Sequence, residues 1–395
     1  MKRWFILRKF LNFWARIGGA IYKYIRTTYV PFWCAIIIAS VYSIMLVYSS
    51  TIDNGSRTVV TQIIAAVGGS IAAIIISLMD YERLGELWWL VAGVCLFLMG
   101  LTFVAGRGAL GEESTADDRA WIDIFGISFQ PSELLKIGFL ITFSYHLSRV
   151  IKDGKLNSIP HLIMLAGHVA VPVGLIVLQH DEGSALMFLV MASIILLGSG
   201  LDWKYITVAF VAVLAMLPLL WQFLSTTQKT RIQAVYSPQE GDELTTLYQQ
   251  TLGRIAIGSG ELTGQGWRQG TMIQAGLVPE DHNDFILTVA GEEFGFIGTT
   301  LVLMILGSIM VLSVNAALTA KDDMGRFICL GFFGLIAAQT LFNVGMVLVV
   351  LPVIGITLPF FSAGGSSSMC LYFGVGLVLS VYMRRGESRM SISSL

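Results

Sequence analysis

Hydrophobic and polar positions in this chain are gathered into long blocks rather than alternating at the short periods of a soluble core. Ten apolar blocks stand out. They lie near Val30 to Ser49, Val59 to Leu78, Leu87 to Val104, Leu134 to Val150, His161 to Leu178, Ser184 to Gly198, Tyr205 to Phe223, Phe294 to Leu318, Phe327 to Leu351 and Met369 to Met383. A helix needs about 17 to 25 apolar residues to cross a bilayer, and the blocks reach or approach that length, Ser184 to Gly198 being among the shortest. Backbone polar groups cannot stay unpaired in hydrocarbon, so each block predicts a helix. The fold class that follows is an all-α polytopic membrane protein with ten transmembrane helices. Residues 1–29 form a basic, amphipathic N-terminal segment, 30–223 the first seven helices and 224–284 a large extracytoplasmic loop between helices 7 and 8. Residues 285–384 form the last three helices and 385–395 a cytoplasmic tail.

Composition agrees with this reading, at 55% hydrophobic and 13% charged. Lys2, Arg3, Arg8, Lys9, Arg16, Lys23 and Arg26 all precede the first acid, Asp53. Arg149, Lys152 and Lys155 follow the fourth block, and Arg384, Arg385 and Arg389 follow the tenth. Basic residues in short flanking segments are retained inside, so both termini are predicted to be cytoplasmic. The leader suits either an interfacial helix on an anionic leaflet or a plain topology signal. A formal net charge of −1 leaves no basic field for nucleic acid. Cys34, Cys95, Cys329 and Cys370 fall inside blocks without CxxC spacing, and the five histidines form no zinc pattern.

Candidate chemistry gathers at the outer ends of the blocks. Glu133 and Lys136, three apart after Pro131, share one helix face and form either a pair facing an interior cavity or a self-neutralising surface pair. The turn Gln179 to Ser184 suits a cation or sugar hydroxyl, or simply a solvated hairpin. The glycine-rich run Ala256 to Gly266, with Arg231, Arg254 and Arg268 in the same loop, reads as an anion-binding nest or as a compact lid. Asp284, just before the eighth block, is a catalytic candidate or a helix cap. Glu292 and Glu293 lie about 12 Å further along a helical path, as relay members or as hydrogen-bonded structural groups. Between Asn343 and Ser368, two prolines and Gly364-Gly365 predict a re-entrant segment or a small-residue turn.

Four motifs then occur in one order. They are Trp121-Ile122 with Gln130-Pro131-Ser132-Glu133 and Lys136; Ala256 to Gly266; Pro279-Glu280, His282 and Asp284-Phe285-Ile286 with Gly291-Glu292-Glu293 and Gly295; and Leu351-Pro352 through Gly364-Gly365-Ser366. Together they resemble the SEDS family (shape, elongation, division and sporulation). Asn343-Val344-Gly345-Met346 is similar to its elongation branch, RodA, more than to its division branch, FtsW. The chain departs from the family pattern at Ala120, Gln265 and Ala363.

The resemblance implies a peptidoglycan glycosyltransferase in the cytoplasmic membrane of a bacterium, polymerising lipid II into β-1,4 glycan at the outer face for cell elongation. A lipid II flippase, or a division or sporulation polymerase, is the alternative. It further implies Asp284 as the catalytic carboxylate and a divalent cation, Mg²⁺ or Mn²⁺, held at Asp284. Substrate contacts are expected from Trp121, Glu133, Lys136, Arg231, His282, Glu292, Ser362, Gly364, Gly365 and Ser366. The implied partners are lipid II, the undecaprenyl-linked strand and a class B penicillin-binding protein.

Overall fold

The computed structural model describes residues 18–19, 22–51, 56–106, 120–124, 127–239 and 241–386. The leader through residue 17, Asp53, Arg119 and the tail from 387 lie outside the described residues.

The chain is mostly helical. In order it forms α1 (Val30–Ser50), α2 (Ser56–Leu78), α3 (Tyr81–Glu86), α4 (Trp88–Ala105), a hairpin of β1 (Ile122–Ile124) and β2 (Ile127–Phe129), and then α5 (Pro131–Lys152). There follow α6 (Ile159–Val177), α7 (Glu182–Gly198), α8 (Trp203–Phe223), α9 (Thr226–Tyr236), α10 (Tyr248–Ser259), the short α11 (Thr271–Gln274), α12 (Ile286–Leu318), α13 (Asp323–Val347) and α14 (Gly365–Met383). A long helix overlies each of the ten apolar blocks. Among the described residues, α1, α2, α5, α6, α12, α13 and α14 are long and apolar enough to cross a membrane. The apolar stretches of α4, α7 and α8 are shorter.

Local chemistry sets the helix ends. Proline occupies the first turn of α1, α5 and α6, where its missing N–H is no loss. Asp181 and Asp322 accept the backbone N–H of Ser184 and Gly325 and so cap α7 and α13. Ser225 and Gln228 close a capping box on α9.

Burial divides the long helices into inner and outer sets. The apolar windows of α14, α13 and α5 are 78%, 67% and 67% buried, against 22% for α2 and 17% for α6. The inner three run through the middle of the bundle, while α8 turns Val208, Phe210, Val211 and Leu214 outward. An apolar helix exposed in this way needs lipid around it.

Three details differ from the sequence reading, each for a local reason. The antiparallel hairpin, with Ile122 opposite Phe129, interrupts the all-α plan just before α5. Helix α12 begins at Ile286 rather than Phe294, and it breaks at Gly295, whose φ of 65° and ψ of −157° are open only to glycine. Helix α13 ends at Val347 rather than Leu351, because the chain turns off through Val349 at φ 61°.

Candidate active site

Pro131 starts α5 after an extended Gln130, which brings Glu133 and Lys136 onto one face of its first turns. Lys136 Nζ lies 2.8 Å from Glu133 Oε1, and both side chains are buried. The pair lines a polar cavity of about 320 Å³. The interior reading of the pair is therefore the right one, and desolvating both charges is tolerable because they lie in contact.

Asp284 lines the same cavity. It caps nothing, since the N-cap of α12 is Phe285 and no side chain bonds there. The segment that carries it is clamped. Asn343 Nδ2 donates to the Asp284 carbonyl at 2.8 Å and to the Ile356 carbonyl at 2.7 Å, and Ser362 Oγ donates to the Asn283 carbonyl at 2.7 Å. Asn283 Nδ2 in turn donates to Glu280 Oε2 at 2.8 Å. Burial, and then the neighbouring Glu280 charge, push the Asp284 carboxyl up to about 6, with His282 opposing. The hydrogen bond that His282 donates to Asp281 is the main reason that its imidazole is pushed up from its ordinary value.

Trp121 and Gly364 complete the set of expected residues at this cavity. Further polar groups join them, Asp181, Ser184, Gln339 and Ser367 among them. Asp181 Oδ2 accepts from Gln130 Nε2 at 3.0 Å while Oδ1 caps α7, so the acidic turn after α6 is at once a helix cap and a cavity wall.

The FtsW/RodA/SpoVE family model, described as cell cycle protein, matches residues 26–387. The chain belongs to this family. Escherichia coli (strain K12) peptidoglycan glycosyltransferase MrdB is 33% identical over 291 residues, 73% of this chain and 77% of its own. The probable peptidoglycan glycosyltransferase FtsW of Geobacter metallireducens is 32% identical over 353 residues, 87% and 91% of the two chains. A solved chain described as "Structural coordination of polymerization and crosslinking by a peptidoglycan synthase complex" superposes with a TM-score of 0.75. It is 27% identical, over 91% of this chain and 98% of that one. The rod shape determining protein RodA of Thermus thermophilus shares the fold, with a TM-score of 0.66 at 24% identity over 91% of this chain and 97% of its own.

Several motif residues of this family member lie away from the Asp284 cavity. Glu292 is fully buried and accepts the backbone N–H groups of Met272 and Ile273 at 2.8 and 2.9 Å, so it is the anchor of α11 rather than a substrate ligand. Glu293 accepts from Ser49 and from Gln274 Nε2. The glycine-rich run makes no anion nest: Gln265 and Gly266 donate their N–H groups to the Glu292 and Glu293 carbonyls, packing the run on the broken α12. Arg231 donates to the Val353 carbonyl at 3.3 Å and borders a separate surface hollow. His282 lines an adjacent polar cavity of about 240 Å³ with Ser49, Ser50 and Thr51, and Glu280 faces both cavities.

The serines and glycine near α14 serve structure as well. Ser362 is used by the loop, accepting from the Leu358 N–H as it donates to Asn283. Ser366 accepts from the Gln130 N–H at 3.4 Å, and Gly365 sits against Thr61. They were expected as substrate contacts on the strength of the family resemblance. Their actual partners are backbone groups that no spacing discloses.

As for a cation, no group of three or more His, Cys, Asp or Glu side chains among the described residues is arranged to hold one. Of the four carboxylates that line the cavity, Glu133 is paired with Lys136 and Asp181 accepts from Gln130, which leaves Asp284 and Glu280. That donor set is poor for an all-protein cage and suits an ion held by one or two carboxylates together with substrate phosphates, as Mg²⁺ commonly is.

Proposed function

We propose that this protein polymerises lipid II into β-1,4-linked glycan at the outer face of the bacterial cytoplasmic membrane, with Asp284 as the base. The observation that carries the reading is that the half-buried Asp284 lines one polar cavity with the buried Lys136–Glu133 pair in a membrane bundle. The glycosyltransferase names of MrdB and FtsW relatives support it.

Glycan extension is a displacement at an anomeric carbon. The acceptor's 4-hydroxyl oxygen forms the new bond to that carbon, and the bond from the carbon to the diphosphate oxygen breaks, its electron pair leaving with the diphosphate. Asp284 takes the hydroxyl proton as the new bond forms. A carboxyl near 6 is mostly ionised at neutral pH and more basic than an ordinary aspartate, which suits general-base work. The leaving diphosphate is a weak base, so no general acid is required. Lys136 offers it a positive charge, and Glu133 fixes the direction of the ammonium. A divalent cation held by Asp284 and Glu280 would neutralise further phosphate charge.

The distribution of basic residues supports cytoplasmic termini and an outward-facing Asp284. The solved relative described as a complex for polymerisation and crosslinking supports a class B penicillin-binding protein as partner. Purified protein given lipid II and Mg²⁺ tests the reading. Long glycan that Asp284→Asn does not make supports it; labelled lipid moving between leaflets with no polymer would make the protein a flippase instead.

A further inference from the structure

Gln339 is 1% exposed in the middle of α13, its Oε1 has no hydrogen-bond partner, and the residue lines the Asp284 cavity. A buried carboxamide oxygen without a donor is costly in any fold, so an orphan on a cavity wall points to a group that arrives with the ligand. The other amides around this cavity are already occupied. Gln130 Nε2 is spent on Asp181, Asn283 Nδ2 on Glu280, and the Lys136 ammonium bonds Glu133.

The orphan atom limits what can meet it. An oxygen acceptor needs a donor, and an ionised diphosphate carries none, so the phosphate end of the substrate cannot satisfy Gln339 Oε1. A sugar can, through a hydroxyl or through the N–H of an acetamido group. The wall of the same cavity includes Met187, 1% exposed, and Ile356, 5% exposed, which are apolar surfaces for a methyl group. Asn343, which holds the Asp284 carbonyl, lies four residues on along α13 and thus on the same face, about 6 Å along the axis. A sugar ring can span that distance.

We infer that Gln339 is a specificity-determining residue that accepts the N–H of a 2-acetamido group of the substrate sugar, with the acetyl methyl against Met187 and Ile356. This rests on the lipid II reading and names the part of the substrate that is recognised. The phosphates are thereby directed to the Lys136 side of the cavity.

Binding in nanodiscs, measured apart from polymerisation, tests it. The probes are lipid II and analogues in which the acetamido group of one sugar at a time is replaced by hydrogen or by hydroxyl. Wild type should bind lipid II roughly 10- to 100-fold more tightly than one of the two hydrogen analogues, the span expected when a buried acceptor loses its donor. Gln339→Leu should bind both about equally, while its Tm equals or exceeds that of wild type because an unpaired polar group has gone. Gln339→Met serves as a second apolar variant if leucine fits poorly. The inference is overturned if the variants discriminate as sharply as wild type, if wild type does not discriminate, or if the variants lose Tm together with affinity for every probe. A hydroxyl analogue bound as tightly as lipid II, with the same dependence on Gln339, would also overturn the acetamido assignment. Absence of polymer from wild type that binds and discriminates would sink the polymerase reading and leave this one standing.

Discussion

At the scale of single residues, the Asp284 carboxyl carries two opposite consequences of one shift. As a base it must be ionised, so the kcat/KM of polymerisation should fall about tenfold per pH unit below about 6 and level off above it. Stability runs the other way. The folded protein holds the Asp284 proton more tightly than the unfolded chain, so this group costs stability as pH rises from about 4 toward 6, and the cost is fully present above that. Asp284→Asn should therefore lose roughly 10²- to 10⁴-fold in rate and yet show a Tm at pH 7.5 no lower than wild type. A pH–rate profile and thermal melts at two pH values check both, and a variant that melts earlier at pH 7.5 would mean that the carboxylate is held by a cation or by a donor.

The Lys136–Glu133 pair behaves differently, because its members are buried against each other. Lys136→Ala strands a buried carboxylate and should cost about 3–5 kcal/mol. Glu133→Gln with Lys136→Met removes both charges at once and should restore most of the melting temperature without restoring polymerisation. Equal melting of the single and double variants would show that the pair has no energetic coupling. Its spacing was readable before the fold was known, since positions three apart share a face, and so was Asp284 as an acid at a helix mouth. Gln339 was not: it is one amide in a long apolar run, and only the cavity beside it distinguishes a ligand group from a polar residue paired within the bundle. Glu292 errs in the opposite sense, for an acid inside a membrane helix suggests function until the N–H groups that satisfy it are seen.

At the scale of elements, the break in α12 joins the large loop to the bundle. Gly295 leaves helical geometry, and the freed backbone pairs with the glycine-rich run: Phe296 and Ile297 donate to the Glu261 and Leu262 carbonyls. A Cβ at Gly295 would stand 2.4 Å from the Gly264 nitrogen as well as in a forbidden backbone region. Gly295→Ala should cost at least about 1–3 kcal/mol and loosen the loop, without any change in groups lining the Asp284 cavity. Faster hydrogen exchange over residues 256–274, with α5 and α14 unchanged, is the expected signature. Exchange that rises evenly through the whole bundle would instead make the break a folding element rather than a local fastening. The helices themselves were legible because a bilayer demands long apolar runs. The breaks were not, because one glycine in an apolar run reads the same whether it packs or turns.

At the scale of the whole molecule, the proposed reaction depends on which side of the membrane the Asp284 cavity faces. Lys152 and Lys155 lie at one end of α5, and Glu133, Lys136 and the cavity lie at the other. An 18-residue separation at 1.5 Å per residue, from Leu134 to Lys152, is about 27 Å, close to the hydrocarbon thickness of a bilayer. A helix of that length spans the bilayer with its two ends on opposite sides, and the proposed topology puts the basic end inside. Cysteine placed at Asp153, exposed beside Lys152, and at Glu243, exposed in the large loop, reports each side. In a background with the four native cysteines replaced, a membrane-impermeant thiol reagent applied to intact cells with a permeable outer layer should label Glu243→Cys. It should leave Asp153→Cys untouched until the membrane is opened. The opposite pattern would turn Asp284 toward the cytoplasm, where the acceptor strand does not reach, and polymerisation at the outer face would be impossible whatever the chemistry of the cavity.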